Sequence, residues 1–252
     1  MYTEKIQNDI IIIWFNNPPV NAITFEFLNQ LNKILDYINN DKNIRCLLIG
    51  SKANHFCAGA DLKERIKFNK SETLKFISFI NNTYNRIEDL NIPVIAMLNG
   101  ATLGGGAELS LCADFRLADK SLQIGFPETS LGIIPGAGGT YRLPKVIGIQ
   151  KAKCIIFTAQ NLNYKKAMEI NLIDEISNDL ISDSITFAKL ILKNSPIGLK
   201  YSKISINDSF YKDRSTGLKI ENKNYKNILG TKDRLEALKA FNDKRKPIWQ
   251  NK

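Results

Sequence analysis

The sequence is poor in the residues that most often carry metal or nucleophilic chemistry. Its 252 residues include one histidine, His55, and four cysteines with no CxxC spacing. A zinc site is therefore not indicated. His55 is also the only histidine base that a serine or cysteine nucleophile could use. Acid–base chemistry in this chain is accordingly expected to depend on carboxylates.

Long hydrophobic runs are missing as well. No apolar stretch reaches the roughly 18–20 residues that cross a bilayer. The opening MYTEKIQNDIIIIWF has no basic segment before an apolar one, which predicts a strand and not a signal peptide. A cytoplasmic protein is expected, or one of the mitochondrial matrix if a transit segment has been removed. Buried, reduced thiols fit that compartment, and they are predicted for Cys46, Cys57, Cys112 and Cys154.

The positive charge is concentrated near the C-terminus. Residues 195–252 hold 14 Lys or Arg and 6 Asp or Glu, so 14 − 6 = +8 of the formal net charge of +10 lies there. Three interpretations are open: a solvated helical surface, attraction of an anionic substrate, or attraction of nucleic acid.

The hydrophobic pattern predicts a layered α/β fold with a helical C-terminal part. Strands are predicted at residues 8–15, 44–49, 93–98 and 114–118, with short ones at 122–124 and 172–176. Thr24 is the predicted N-cap of a first helix, and Asp61 begins a short one. A helix at 71–90 carries its apolar face on Leu74, Ile77, Tyr84, Ile87 and Leu90. Further helices are predicted at 105–112, 149–158, 164–170, 178–193, 196–210, 214–228 and 231–242.

Two glycine-containing turns precede helices. Gly104, Gly105 and Gly106 open one helix, with Glu108 two residues later, and Glu128 follows at a distance of 20 residues. Glycines let backbone amides approach a ligand at the positive end of a helix. The segment Ala58-Gly59-Ala60 is a second such turn. Amides of this kind can stabilise an oxygen that gains negative charge, although glycines also serve close packing alone.

The motifs together are more specific than either turn. FCAGADLKE, NGATLGGGAEL and PETSLGIIPGAGGTYRLP occur in this order and at this spacing. They resemble the enoyl-CoA hydratase/isomerase, or crotonase, family, and the resemblance covers essentially the whole chain. It implies a ClpP-like α/β spiral of β-β-α turns over residues 1–194. It also implies an all-helical trimerisation region over residues 195–252, and a homotrimer or a hexamer of two trimers.

The resemblance also assigns roles to individual residues. It implies an acyl-CoA substrate, with no cofactor beyond the coenzyme A that the substrate carries. The thioester oxygen would lie between the amides of Ala60 and Gly105. Hydratases of the family carry two glutamates, whereas isomerases generally keep one, and here both positions are filled. Glu108 would act as base toward water, and Glu128 would supply the Cα proton.

Contacts with coenzyme A are implied by the same motifs. Ala58 lies in the turn that would meet the adenine, and Lys63 is a phosphate contact. Lys244 matches a lysine that reaches the coenzyme A of a neighbouring subunit, and Phe241 matches an aromatic residue near it. For the lysines, a solvated surface is the competing interpretation.

Within this family, the chain most resembles the methylglutaconyl-CoA hydratases. The segments that carry this resemblance are FCAGADLKER, LGIIPGAGGTYRLP and GTKDRLEALKAFNDKRKP. It implies hydration of 3-methylglutaconyl-CoA. The alternatives are a short-chain enoyl-CoA hydratase, a Δ3-Δ2 enoyl-CoA isomerase, or an RNA-binding protein on the same fold. The RNA-binding alternative is based on the lysines and arginines of residues 33–67, but the sequence has no dedicated RNA-recognition motif.

Overall fold

The structure, a computed structural model, describes all residues from 1 to 252. The strands are β1 (Tyr2–Ile6), β2 (Ile10–Phe15), β3 (Cys46–Ser51), β4 (Val94–Leu98), β5 (Ala101–Leu103), β6 (Phe115–Ala118), β7 (Gln123–Gly125), β8 (Asn161–Asn163) and β9 (Glu175–Ile176).

Helices make up most of the remainder. They are α1 (Phe25–Asn40), α2 (Leu62–Arg65), α3 (Lys70–Glu88), α4 (Gly105–Ser110), α5 (Gly139–Ile147), α6 (Ile149–Thr158), α7 (Tyr164–Glu169), α8 (Leu180–Ile191), α9 (Pro196–Ser209), α10 (Arg214–Lys226) and α11 (Lys232–Asn242), with one 3₁₀ helix at Pro127–Leu131. No helix is both long enough and apolar enough to cross a membrane.

The chain divides into two compact units. The first comprises Met1–Leu90 with Val94–Phe187, and the second comprises Asn91–Pro93 with Ala188–Lys252. All nine strands lie in the first unit, so the expected α/β part followed by helices is present. The division at residues 194 and 195 stays a prediction.

A six-stranded sheet is the centre of the first unit. Its order is β1-β2-β3-β4-β6-β9, and all neighbours are parallel except β1 with β2. Strands β2 to β4 are buried almost throughout. Parallel strands covered on both faces need such continuous apolar runs, which explains IIIIWF, CLLIG and VIAML.

A second sheet of three short strands has the order β5-β7-β8. Strand β5 pairs parallel with β7, and β7 pairs antiparallel with β8. Because α4 and the 3₁₀ helix follow β5 and β7 directly, this sheet brings the starts of both helices to one edge.

In the second unit, α9, α10 and α11 each begin at a polar N-cap. The cap side chains of Ser195, Asp213 and Thr231 accept backbone N–H groups in the first turn of their helices. The Asn224 amide of α10 donates to the Ser205 hydroxyl of α9 at 3.0 Å, which joins these two helices.

Several sequence expectations need correction. The first residues form a hairpin and not one strand, because Gln7 and Asn8 adopt left-handed φ of 54° and 65° and turn the chain. Strands β5 and β8 were not predicted, since three residues are too few to show a pattern. Leu74 is 60% exposed, and Phe76 lies buried on that helix instead.

The prediction for the cysteines was wrong at Cys154, which is exposed on α6, whereas the other three are buried. The helix starts were predicted well. The Thr24 hydroxyl accepts the Phe27 amide at 3.1 Å, and the Asp61 carboxylate accepts the Lys63 amide at 2.8 Å.

Gly106 offers a test of the close packing between α4 and the turn before α2. A Cβ at this position would overlap the Cys57 backbone carbonyl, which cannot move without breaking its strand-like pairing. We expect Gly106→Ala to lower the free energy of unfolding by about 3 kcal/mol in urea denaturation. Gly230→Ala is the matched control, because nothing lies within 4 Å of a Cβ there. Equal stability of the two variants would contradict this packing.

Candidate active site

Short backbone pairings join the two glycine turns. The Cys57 N–H donates to the Ala101 carbonyl at 3.1 Å, and the Leu103 N–H donates to the Cys57 carbonyl at 3.0 Å. Ala60 forms a parallel bridge with Ile23 on its other side. The turn at residues 58–60 is therefore fixed beside Gly105, although 45 residues separate Ala60 from Gly105 in the sequence.

The amides of Ala60 and Gly105 donate no hydrogen bond within the chain. In the bridge, the N–H of Ile23 and the N–H of Asp61 form the hydrogen bonds, so the Ala60 amide points away from that pairing. A Cβ placed on Gly105 would lie 3.9 Å from the Ala60 nitrogen. Two unpaired donors consequently lie side by side, which is the arrangement that stabilises a developing oxyanion.

Glu108 is in the first turn of α4 and is 2% exposed. Its Oε1 accepts the Ala137 amide at 2.8 Å and the Gly139 amide at 2.7 Å. Burial raises the pKa of Glu108 to about 7; the negative charge of Glu128 also raises it, and the two amides oppose the increase. With one oxygen held, the other is left for chemistry.

Glu128 reaches the same place through β7. Leu103 is in register with Gly125, and the Gly104 N–H donates to the Gly125 carbonyl at 2.9 Å. The chain then turns at Pro127, and a Cβ on Gly104 would lie 2.9 Å from Glu128 Oε1. A side chain on Gly104, whose φ is 50°, would press against this carboxyl.

The environment of Glu128 leaves one oxygen without a partner. Glu128 is 7% exposed, and its Oε2 is buried with no hydrogen bond. Burial raises its pKa. A buried polar atom without a partner is costly, so this oxygen is a natural position for a water or substrate atom. Two buried carboxyls that influence each other's charge can hold one proton between them.

Helix α3 supplies polar contacts that the apolar pattern did not predict. The Tyr84 hydroxyl donates to the Gly105 carbonyl at 2.7 Å, and the Asn81 amide donates to the Gly136 carbonyl at 2.7 Å. Asn81 and Tyr84 are three residues apart on α3, and this spacing could have signalled a shared polar face. His55 forms no hydrogen bond with either carboxyl. Its Nδ1 accepts a hydrogen bond from the Ala101 amide at 3.1 Å.

The remaining predicted site residues are Ala58, Lys63, Phe241 and Lys244. The Ala58 amide donates a hydrogen bond to the Val20 carbonyl at 3.0 Å, and the Lys63 side chain is exposed on α2. Phe241, 87% exposed in α11, and Lys244, just after this helix, belong to the second unit. Their contacts with coenzyme A stay predictions. No group of three or more His, Cys, Asp or Glu side chains is arranged to hold a metal ion.

Comparison with known proteins adds to this geometry. A profile described as enoyl-CoA hydratase/isomerase matches residues 5–252. The chain belongs to the enoyl-CoA hydratase/isomerase family. It is therefore an enzyme of the enoyl-CoA hydratase type, a lyase.

Relatives and solved structures agree with this membership. Mouse mitochondrial methylglutaconyl-CoA hydratase is 38% identical over 99% of this chain and 82% of its own length. The short-chain-enoyl-CoA hydratase of Clostridium acetobutylicum is 34% identical over 95% of this chain and 94% of its own. A crystal structure of an enoyl-CoA hydratase from Bacillus anthracis matches with a TM-score of 0.96 at 38% identity, covering 100% of this chain and 99% of that one. The fold is accordingly the crotonase fold.

The raised pKa of Glu108 predicts a pH-dependent stability. Since the folded pKa of about 7 exceeds the ordinary 4.5, the native state holds this proton more tightly than the unfolded chain. Its stabilising contribution is full below about pH 4.5 and is lost as pH rises through 7. We expect the free energy of unfolding of Glu108→Gln, relative to wild type, to rise by about 3 kcal/mol between pH 4.5 and 8 in urea titrations. Glu175→Gln, which removes an exposed carboxyl, is the control, and a pH-independent difference for Glu108→Gln would contradict the assignment.

Proposed function

We propose that the chain is a hydratase of 2-enoyl-CoA thioesters. The observation that carries this proposal is the pair of buried carboxyls, Glu108 and Glu128, beside the unpaired amides of Ala60 and Gly105. Addition of water across a conjugated double bond needs a base for water, an acid for Cα and donors for the thioester oxygen. All three kinds of group occur here.

In the proposed reaction the thioester oxygen accepts hydrogen bonds from Ala60 and Gly105. Glu108, ionised, takes a proton from water as the water oxygen bonds to Cβ. The electrons of the double bond move toward the thioester and give an enolate, which the two amides stabilise. Glu128, protonated, then delivers its proton to Cα, so that water adds from one side. The proton held by Glu108 returns the pair to its initial state through solvent exchange.

The protonation of the two carboxyls is coupled. Burial raises the pKa of both carboxyls, and the charge of Glu128 raises that of Glu108 further. When such a pair holds one proton, one carboxyl is an acid and the other a base. Only Glu108 is bound by two backbone amides, and amides favour the ionised form.

Substitution of either carboxyl tests the mechanism. We expect Glu108→Gln and Glu128→Gln each to lower kcat for hydration by about 10²–10⁴-fold, since each removes one proton-transfer group. Hydration is followed as loss of the conjugated enoyl absorbance, with Glu175→Gln as a control on a strand outside the site. Wild-type hydration by either variant would refute the two-carboxylate mechanism.

For the acyl group we propose 3-methylglutaconyl, a branched dicarboxylic monothioester. The support is the resemblance of three motifs and the 38% identity to mouse methylglutaconyl-CoA hydratase. The rival is a short straight-chain acyl group, as the name of the Clostridium relative at 34% identity suggests.

The two substrates separate these alternatives directly. We expect kcat/KM for 3-methylglutaconyl-CoA to exceed that for crotonyl-CoA by at least about tenfold, because a bound carboxylate adds charge-assisted hydrogen bonds worth roughly 1.5–3 kcal/mol. Initial rates on both thioesters, at equal enzyme concentration, give the ratio. A ratio of one or less would assign the enzyme to the short-chain class and leave the hydration mechanism intact.

We also propose that the second unit forms the subunit contacts of a trimer or hexamer. Support comes from large apolar side chains that the isolated chain leaves exposed in this unit. They include Ile206, Leu218, Tyr225, Leu229, Leu235, Leu238 and Phe241. Ala58 and Lys63 are proposed to bind coenzyme A, which would be the only non-protein group required. Lys244, with Phe241 near it, is proposed to reach the coenzyme A of a neighbouring subunit.

A further inference from the structure

Arg142 of α5 is buried beside the candidate site without touching either carboxyl. It is 3% exposed, and its guanidinium donates three hydrogen bonds. Nε donates to Glu88 at 2.7 Å, Nη2 to the Asn85 side chain at 2.6 Å, and Nη1 to the Ala137 carbonyl at 3.0 Å. One guanidinium thus connects helix α3 to the loop before α5.

Ala137 is the link between this arginine and Glu108. Its carbonyl accepts from Arg142, and its own amide donates to Glu108 Oε1 at 2.8 Å. The next amide on that oxygen, from Gly139, is two residues later. Between them Gly138 has a φ of 99°, and a Cβ there would overlap the guanidinium. The loop therefore curls around Arg142 and points two amides at one oxygen.

We propose that Arg142, held by Glu88 and Asn85, is the positioning residue for Glu108. It fixes the Ala137 carbonyl so that the Ala137 and Gly139 amides keep one carboxyl oxygen in place. The other oxygen then stays directed toward the reacting water. The role in catalysis rests on the proposed hydratase function, whereas the effect on Glu108 itself does not.

The electrostatic surroundings make the effect measurable. The titratable groups that face Glu108 are Glu128 from the 3₁₀ helix, Arg142 from α5, Tyr84 from α3 and Cys112 from beyond its own helix. Only Arg142 and the two amides favour the ionised form of Glu108. Loosening this loop therefore raises the pKa of Glu108, and nothing else nearby compensates.

A second buried arginine offers a matched control. Arg116 is 5% exposed, donates to the carbonyls of Leu172 and Ala113 at 2.9 Å each, and pairs with Asp174 at 3.6 Å. Like Arg142 it pairs with a carboxylate and with backbone carbonyls, but it belongs to strand β6. Arg116→Lys should reproduce the structural cost of losing a buried guanidinium fork without the effect on Glu108.

The test compares Arg142→Lys with Arg116→Lys. Lysine keeps the charge but cannot make three directed hydrogen bonds. In ¹³C-glutamate NMR, with Glu108→Gln to assign the signal, we expect the Glu108 titration to move up by about one pH unit in Arg142→Lys only. In hydration assays we expect kcat to fall about 10²-fold with little change in KM. The acid side of the kcat profile should shift to higher pH.

Each outcome decides a separate question. An unchanged Glu108 titration in Arg142→Lys, or an equal shift in Arg116→Lys, overturns the positioning role. A wild-type protein that hydrates no enoyl-CoA overturns the proposed function, while the NMR comparison still tests the loop. Should Arg142→Lys fail to fold, Glu88→Gln removes the partly exposed anchor instead. It should shift the titration in the same direction by a smaller amount, and an unchanged titration in Glu88→Gln overturns the proposal.

Discussion

Parallel pairing on both sides of β5 is the constraint on which the candidate site depends. This strand of three residues binds Cys57 along one edge and β7 along the other. The first pairing places the Ala60 turn next to Gly105, and the second places Glu128 near Gly104. Because parallel strands leave a sheet at the same edge, the two helices that follow begin together. Gly106 permits the contact, since any side chain there would meet the Cys57 carbonyl.

The buried carboxyls show a compromise between stability and chemistry. Glu108 and Glu128 occupy positions where apolar residues would pack at lower cost, and burial raises the pKa of each. Two backbone amides and a nearby arginine offset part of this cost for Glu108, whereas the Oε2 of Glu128 has no partner. A stable core would not keep such an atom, and sites that perform chemistry commonly do.

Much of this arrangement could be predicted from the sequence. The buried strands are continuous apolar runs, and Thr24 and Asp61 are N-caps by residue type. The glycine turns with Glu108 and Glu128 follow from motifs that resemble one family. What could not be predicted depends on distant partners. Strand β5 exists only because two other segments pair with it. On α3, Phe76 is buried in place of the predicted Leu74, and the segments that pack on the helix decide this.

The contribution of Arg142 was hidden for the same reason. Its partners Glu88 and Asn85 lie 54 and 57 residues earlier, and no local pattern connects them. Glu88 and Asn85 are three residues apart on α3 and share one face of the helix. This face binds Arg142 only after α5 has packed against α3. A buried guanidinium must find carbonyls and carboxylates somewhere, but the sequence does not say which ones.

The ligands of Glu108 come 29 and 31 residues after it, and this has a consequence for synthesis. A ribosome releases the N-terminal part of a chain first. Both glycine turns and Glu108 itself leave the ribosome before Ala137 and Gly139 do. A nascent chain therefore contains Glu108 before it contains the two amides that hold the Glu108 carboxyl.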